Sequence, residues 1–126
     1  MATAIDCSVQ RGRTADAAGR AAESIVAADY DRRGRPVIGQ RWRGLSGEID
    51  LIARDGDGIV FIEVKKARDH ARAAAALSAR QMRRLCGAAA EFLETQPKGQ
   101  LTEARFDVAL VDGTGRIDII ENAFGA

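Results

Sequence analysis

The sequence has only two cysteines, one histidine and two prolines among its 126 residues. Cys7 and Cys86 are far apart and form no Cys-x-x-Cys motif, and His70 has no second histidine or cysteine nearby. We therefore expect neither a disulfide framework nor a zinc site, which makes a reducing cytoplasm the default location. The sequence also lacks an apolar run long enough to span a membrane and the apolar core of a signal peptide, so we expect no membrane association.

No charge of one sign dominates the chain. Lys and Arg number 19, Asp and Glu number 18, and the net charge is +1. This balance neither indicates nor excludes a nucleic-acid binder, because the local field decides binding. The basic residues do form local groups, each of which is either a binding surface or ordinary solvated surface. They are Arg32, Arg33, Arg35, Arg41 and Arg43; Lys65, Lys66 and Arg68; and Arg80, Arg83 and Arg84.

The periodicity of apolar residues predicts a single α/β domain over residues 14–126, preceded by a flexible tail at residues 1–13. A mixed central sheet flanked by helices follows from the order helix–strand–strand–strand–helix–strand–strand. Residues 67–77 are Ala-rich without an apolar face, and Cys86 falls on the apolar face of the second helix. The predicted elements are a helix at residues 14–33, strands at 37–43, 47–54 and 59–66, a helix from Ser78 to before Pro97, and strands at 105–111 and 116–121.

Residues 47–65 read GEIDLIARDGDGIVFIEVK, an apolar stretch interrupted by four charges. If the turn DGDG closes a hairpin, Arg54 lies opposite Ile59 and Leu51 opposite Ile62. Counting on, Asp50 faces Glu63 and Glu48 faces Lys65. Because side chains alternate between faces, one face is then wholly apolar and the other gathers the four charges. The apolar face comprises Ile49, Leu51, Ala53, Val60, Ile62 and Val64.

Two carboxylates facing each other across a strand pair destabilise a sheet unless something compensates for their repulsion. Mg²⁺ is commonly held by one or two carboxylates together with water and phosphate oxygens. A neighbouring lysine can position water or stabilise the charge that develops on a phosphate. Asp50, Glu63 and Lys65 together therefore suit metal-assisted hydrolysis of a phosphodiester. The alternative is that these charges are surface ion pairs, with Glu48 bound to Lys65 and Asp50 to a nearby arginine.

The same stretch resembles the nuclease motif of the PD-(D/E)XK, or restriction-endonuclease-like, superfamily, and more closely the YraN-like family of predicted bacterial endonucleases. The resemblance extends to AGRAAESIVAADYDRRG in the first helix, RFDVALV in a later strand and ENAF near the C-terminus. It implies that Asp50 and Glu63 bind the metal and that Lys65 is catalytic. It further implies that Glu23 is an accessory acid from the first helix and that Gln81 supports the site from the second.

These patterns and the resemblance lead to the expectation of a Mg²⁺-dependent endonuclease, with Mn²⁺ as an alternative metal and Glu48 as a further accessory acid. DNA, including branched or structured DNA, is the expected substrate, and a homodimer would extend the small basic surface. Two alternatives are a nucleic-acid-binding module without activity and an interaction scaffold. Gln81 stands where many relatives have lysine, and the Ala-rich segment after Lys65 is atypical. The expected nucleic-acid contacts are Arg43, Lys66, Arg68, Arg80, Arg83 and Arg84.

Overall fold

A computed structural model describes residues 12–66 and 78–124 of the chain. This part is a mixed α/β fold, and its elements follow the predicted order. Two predicted segments lie outside the described residues. They are the tail, except for its last two residues, and the segment 67–77, which contains Arg68 and His70. The elements are α1 (Gly12–Arg32), β1 (Val37–Arg43), β2 (Glu48–Asp55), β3 (Gly58–Lys66), α2 (Ala79–Leu93), a short 3-10 helix (Gly99–Leu101), β4 (Ala104–Val111) and β5 (Ile117–Phe124).

The five strands form one sheet in the order β1-β2-β3-β4-β5. Neighbouring strands are antiparallel except β3 and β4, which run parallel. A parallel pair requires a crossover connection, and α2 lies in this one. Because α2 returns along the sheet, its first turn lies near the carboxyl end of β3.

The two helices cover opposite faces of the sheet. Leu51 and Ala53 of β2 pack with α1, whereas Ile52 between them packs with α2. This alternation is the period-two pattern expected of a strand that is buried on both sides. In α2 the buried residues differ from the predicted apolar face, because Cys86 is exposed. The residues buried along α2 are Leu85, Ala88, Ala89, Phe92 and Leu93.

A buried polar contact fixes α1 on the sheet. The hydroxyl of Tyr30 donates to Oδ2 of Asp107 on β4 at 2.6 Å, and neither side chain is exposed to solvent. Asp107 also accepts from Nε of Arg105 at 3.0 Å and from the backbone N–H of Asn122 at 3.0 Å. A buried carboxylate is tolerated only when it is paired and hydrogen-bonded in this way. Tyr30 lies about two helical turns after Glu23 on α1. The contact therefore also helps to fix the position of Glu23.

No helix in the described ranges combines the length and the apolar character that a membrane span requires.

Candidate active site

The predicted register of the β2–β3 hairpin is confirmed from the turn to Leu51, whereas the further predicted pairs, Asp50 with Glu63 and Glu48 with Lys65, are not part of the regular pairing. Arg54 lies opposite Ile59, and Leu51 lies opposite Ile62. The regular pairing runs from the turn as far as this second pair. Asp50 and Glu63 follow it at the end of the hairpin that is distant from the turn.

Beyond Leu51 a side chain replaces the backbone as the hydrogen-bond acceptor between the two strands. The backbone N–H of Val64 donates to Oδ2 of Asp50 at 2.8 Å. The cross-strand ion pair between Glu48 and Lys65 is accordingly not formed. Glu48 lies 3.8 Å from Arg43, and Lys65 lies 3.8 Å from Glu63.

The assignment of side chains to faces is wrong at one position, Ile49. Ile49 packs with the cluster on the α2 side, whereas Leu51 packs on the α1 side. The alternation therefore breaks at Asp50. The partner strand β1 is irregular at the same level: Arg41 has a φ of 51°, and the pairs on either side of it are Gln40–Leu51 and Trp42–Ile49. This break turns the carboxyl group of Asp50 towards β3.

The carboxyl groups of Asp50 and Glu63 lie side by side, because the backbone N–H that donates to Asp50 belongs to Val64, the residue next to Glu63. Burial, followed by the charge of Glu63, raises the pKa of Asp50 well above its ordinary 3.8. Burial is also the largest cause of the raised pKa of Glu63, although the nearby Lys65 charge lowers it. Two carboxyl groups this close do not readily both ionise, so the pair releases its protons at higher pH than two separate acids would.

Two polar side chains contact Glu63. The Nζ of Lys65 is 3.8 Å from Oε2 of Glu63, and the exposed fractions of the two side chains are only 19% and 12%. The Nε2 of Gln81 donates to the same oxygen at 3.0 Å. Gln81 is held in place because it lies in the first turn of α2, where its backbone N–H donates to the side chain of Ser78 at the N-cap. One oxygen of Glu63 is thus fixed by residues from two elements.

Glu23 approaches the acidic pair from α1. Burial, and then the charge of Asp50, raises its pKa, while a hydrogen bond from Arg41 lowers it. The Nε of Arg41 donates to Oε1 of Glu23 at 3.0 Å. Arg41 reaches α1 because its positive φ redirects the side chain from β1, a conformation that is uncommon for a residue other than glycine.

The expected nucleic-acid contacts surround this end of the sheet. Arg80 and Arg83 lie exposed on the first turns of α2, and Lys66 is exposed at the end of β3. Arg84 is half-buried beside the turn that leads into β2, and Arg43 is exposed next to that turn. Arg68 lies outside the described residues.

The structure divides the first basic group of the sequence. Arg32 and Arg33 form ion pairs with Asp29 at the end of α1, and Arg35 contacts Glu121. Only Arg41 and Arg43 of that group lie near the acids. Sequence analysis missed the role of Arg41, because nothing in the sequence distinguishes it from the arginines around it.

The acids of the site offer too few ligands to fill the coordination shell of a metal ion. Within residues 12–66 and 78–124, no three Asp, Glu, His or Cys side chains are grouped so that they could hold a metal ion by themselves. Asp50 and Glu63 provide two carboxylates, which is the number that Mg²⁺ often takes from a protein when water and phosphate oxygens complete its shell. The pair fits such a site, since one bound cation would offset the repulsion between the two ionised groups.

The chain is similar to proteins of Ruegeria, Cereibacter and Roseobacter species. It is 64% identical over 115 residues to a UPF0102 protein of Ruegeria pomeroyi, covering 91% of this chain and 94% of that one. It is 66% identical over 109 residues to a UPF0102 protein of Cereibacter sphaeroides, covering 86% and 93% of the two chains. The similarity to a Roseobacter denitrificans protein is 47% over 115 residues, covering 91% and 89%.

The family model described as "Uncharacterised protein family UPF0102" matches residues 22–111, which include all the acids of the site. The match spans the whole hairpin motif and the second half of α1. This chain belongs to the uncharacterised protein family UPF0102.

Proposed function

We propose that this protein is a Mg²⁺-dependent nuclease that hydrolyses phosphodiester bonds in DNA, on a fold of the restriction-endonuclease-like kind. The observation that carries the proposal is the convergence of two acids and a lysine at the end of the hairpin: Asp50 accepts from the N–H of Val64 at 2.8 Å, and Lys65 lies 3.8 Å from Glu63. Ordinary surface ion pairs do not explain this arrangement, because two largely buried acids are placed next to each other beside a single lysine.

Asp50 and Glu63 would hold the cation. When bound, Mg²⁺ would act as a Lewis acid on a phosphate oxygen and would lower the pKa of a water molecule. The hydrogen bond from Val64 N–H orients Asp50, and the hydrogen bond from Gln81 orients Glu63. These contacts fix both carboxyl groups before any cation arrives, which lowers the cost of assembling the site.

Lys65 would act on the reacting groups themselves. Its ammonium group lies 3.8 Å from Glu63 and is 19% exposed, so it is next to the metal position and still reachable by substrate. From there it would orient the attacking water or stabilise the negative charge that develops on the phosphate. Glu23 and Glu48 are accessory acids in this scheme, and both raise the local negative potential around Asp50 or Glu63.

The substrate would be held through its backbone. Arg80, Arg83, Lys66 and Arg43 are exposed around the end of the sheet that bears the acids. Contacts from such side chains to phosphates provide affinity without reading sequence. A polyanion would thereby be drawn towards an acidic centre that would otherwise repel it.

The test is incubation of the purified protein with labelled single-stranded, duplex, flapped and four-way-junction DNA and with matched RNA, in Mg²⁺ or Mn²⁺. We expect cleavage of at least one DNA substrate by the wild type, no cleavage in EDTA, and none by Glu63→Ala prepared in parallel. Tight binding without cleavage would instead indicate a non-catalytic nucleic-acid-binding protein. Absence of both binding and cleavage would contradict the proposal and favour an interaction scaffold.

A further inference from the structure

The turn between β1 and β2 presents an apolar side chain to solvent. Leu45 is 96% exposed, the highest value among the large hydrophobic residues that are exposed in the described ranges. Isolated exposed leucines are common on protein surfaces. This one is unusual because of the structure that holds it.

Hydrogen bonds from α2 fix the turn. Glu91 accepts from the backbone N–H of Leu45 at 2.8 Å, from the hydroxyl of Ser46 at 2.9 Å and from the backbone N–H of Ser46 at 3.4 Å. The N–H of Gly44 donates to the carbonyl of Gly47 at 2.9 Å and closes the turn. The apolar side chain is therefore carried on an anchored backbone.

Close packing fixes the turn as well. A Cβ on Gly87 of α2 would lie 2.7 Å from the side chain of Ser46, and a Cβ on Gly44 would lie 2.0 Å from Glu91. Any other residue at position 87 would displace Ser46 and the turn, and any other residue at position 44 would displace the Glu91 carboxyl group or the Trp42 ring. Glycine is less favourable than alanine inside a helix, so the presence of Gly87 is explained by the close approach of the turn.

The position of the turn relates Leu45 to the candidate active site. Leu45 precedes Asp50 by five residues, so the two lie at most about 18 Å apart. Arg43 lies on one side of the turn. On the other side lies Arg84, whose Cβ is 3.5 Å from the position that a Cβ on Gly47 would take. Leu45, the apolar tip of this anchored turn, thus lies between two arginines at the end of the sheet that bears Asp50 and Glu63.

We propose that Leu45 is a wedge that enters the base stack of a duplex at a step that is already weakened, such as a branch point, a flap or a bulge. This inference rests on the proposed nuclease function and names the class of its substrate. Leucine is one of the apolar side chains that proteins insert between base steps, and the energy of unstacking is least where pairing is interrupted. The flanking arginines would hold the phosphates on either side.

Other partners fit the turn less well. A stable protein interface buries about 800 Å² per partner, and a single leucine between arginines provides only a small part of that area. Single-stranded nucleic acid is usually held by aromatic side chains on which bases stack, and leucine has no such face. A wedge at an interrupted duplex uses both the apolar tip and the surrounding positive charge.

The experiment compares Leu45→Ala with Leu101→Ala in EDTA, where binding is measured without cleavage. Leu101 is a matched control, because it is 87% exposed and lies on the 3-10 helix that leads into β4, beside the turn end of β3. Leu45→Met tests whether another flexible apolar side chain restores the effect. The substrates are a four-way junction and a bulged duplex, each with 2-aminopurine at the interruption, and an uninterrupted duplex of equal length.

We expect Leu45→Ala to bind the interrupted substrates about tenfold more weakly, a difference of about 1.4 kcal/mol, because alanine buries much less apolar surface than leucine. Affinity for the uninterrupted duplex should change less than about twofold, and the wild type and Leu45→Met should increase 2-aminopurine fluorescence while Leu45→Ala does not. Equal affinity of wild type and Leu45→Ala for every substrate would overturn the wedge alone. No binding by the wild type would overturn the proposed function too, and a change of oligomeric state in Leu45→Ala would identify the tip as a protein contact instead.

Discussion

Asp50 accepts a hydrogen bond at 2.8 Å from the backbone N–H of Val64, which places its carboxyl group beside that of Glu63 at the ends of β2 and β3. Burial, and then the charge of Glu63, raises the pKa of Asp50, so the folded protein releases protons from this pair at higher pH than the unfolded chain does. The consequences for stability and activity can be measured separately.

The first prediction concerns Asp50→Asn without metal. An asparagine can still accept from Val64 N–H and can donate to Glu63, so it imitates the protonated pair. Each unit by which a pKa is raised corresponds to about 1.4 kcal/mol. We therefore expect Asp50→Asn to be at least as stable as the wild type at pH 8 in EDTA, although most substitutions in a strand destabilise a protein. Urea unfolding measures the difference.

The pH dependence of this effect has a defined sign. Between the ordinary pKa values of Asp50 and Glu63, 3.8 and 4.5, and their raised values in the folded state, the native protein binds more protons than the unfolded chain. The free energy of unfolding of the wild type should therefore fall as pH rises through this interval. Asp50→Asn should show a shallower fall. A mutant that loses stability equally at pH 4 and pH 8 would contradict the raised pKa values of the two neighbouring acids.

Lys65 provides the second prediction. Lys65→Ala should lower kcat by about 10²–10⁴-fold, the range typical of a group that assists proton transfer, while substrate affinity in EDTA changes little. Its neighbour Lys66 is exposed and serves as the control, since Lys66→Ala should weaken binding without affecting kcat. Similar kcat values for the two variants would remove Lys65 from the chemistry.

The sequence predicts the hairpin better than it predicts the site. The turn DGDG and the alternation of apolar residues determine the pairing of Leu51 with Ile62, because a one-residue slip would expose the apolar face. The break of alternation at Ile49 could not be predicted, since it depends on a side-chain hydrogen bond and on the partner strand. It is also the feature that separates Glu48 from Lys65.

Helical periodicity similarly predicts that Cys86 is buried on the apolar face of α2. In the structure, Cys86 is exposed. Periodicity defines the centre of an apolar face well, but the exposure of a residue at its edge depends on how the helix lies on the sheet. The same limit applies to Arg41, whose contact with Glu23 depends on the packing of α1 against β1.

The third prediction isolates that contact. A double-mutant cycle of Arg41→Asn and Glu23→Gln should give a coupling free energy of about 0.5–1 kcal/mol at pH 8, because the ion pair is partly buried. Asparagine is chosen because it tolerates the positive φ at position 41. The coupling should disappear as pH falls through the pKa of Glu23. Coupling that is absent at pH 8, or that persists at acid pH, would show that the two side chains do not interact as charges.

The fourth prediction concerns the basic residues on α2. If Arg83 and Arg84 contact phosphates, replacing both with glutamate should weaken DNA binding uniformly across sequences and should reduce the salt dependence of affinity. Arg32→Glu with Arg33→Glu makes the same change of charge at the end of α1, where both residues pair with Asp29. The control should bind DNA nearly as well as the wild type. Equal losses in both double mutants would mean that net charge alone determines affinity.

The most direct measurement is the thermal unfolding of the wild type and of Asp50→Asn, first in EDTA and then in Mg²⁺ or Mn²⁺ at matched ionic strength, with a non-cleavable oligonucleotide present throughout. A cation that binds only the native state stabilises it by about 2.7 kcal/mol at a hundredfold excess over Kd. We expect the wild type to gain that stabilisation and Asp50→Asn to lose most of it. Equal responses of the two proteins, or no response of the wild type at tens of millimolar metal, would contradict a divalent cation held between Asp50 and Glu63.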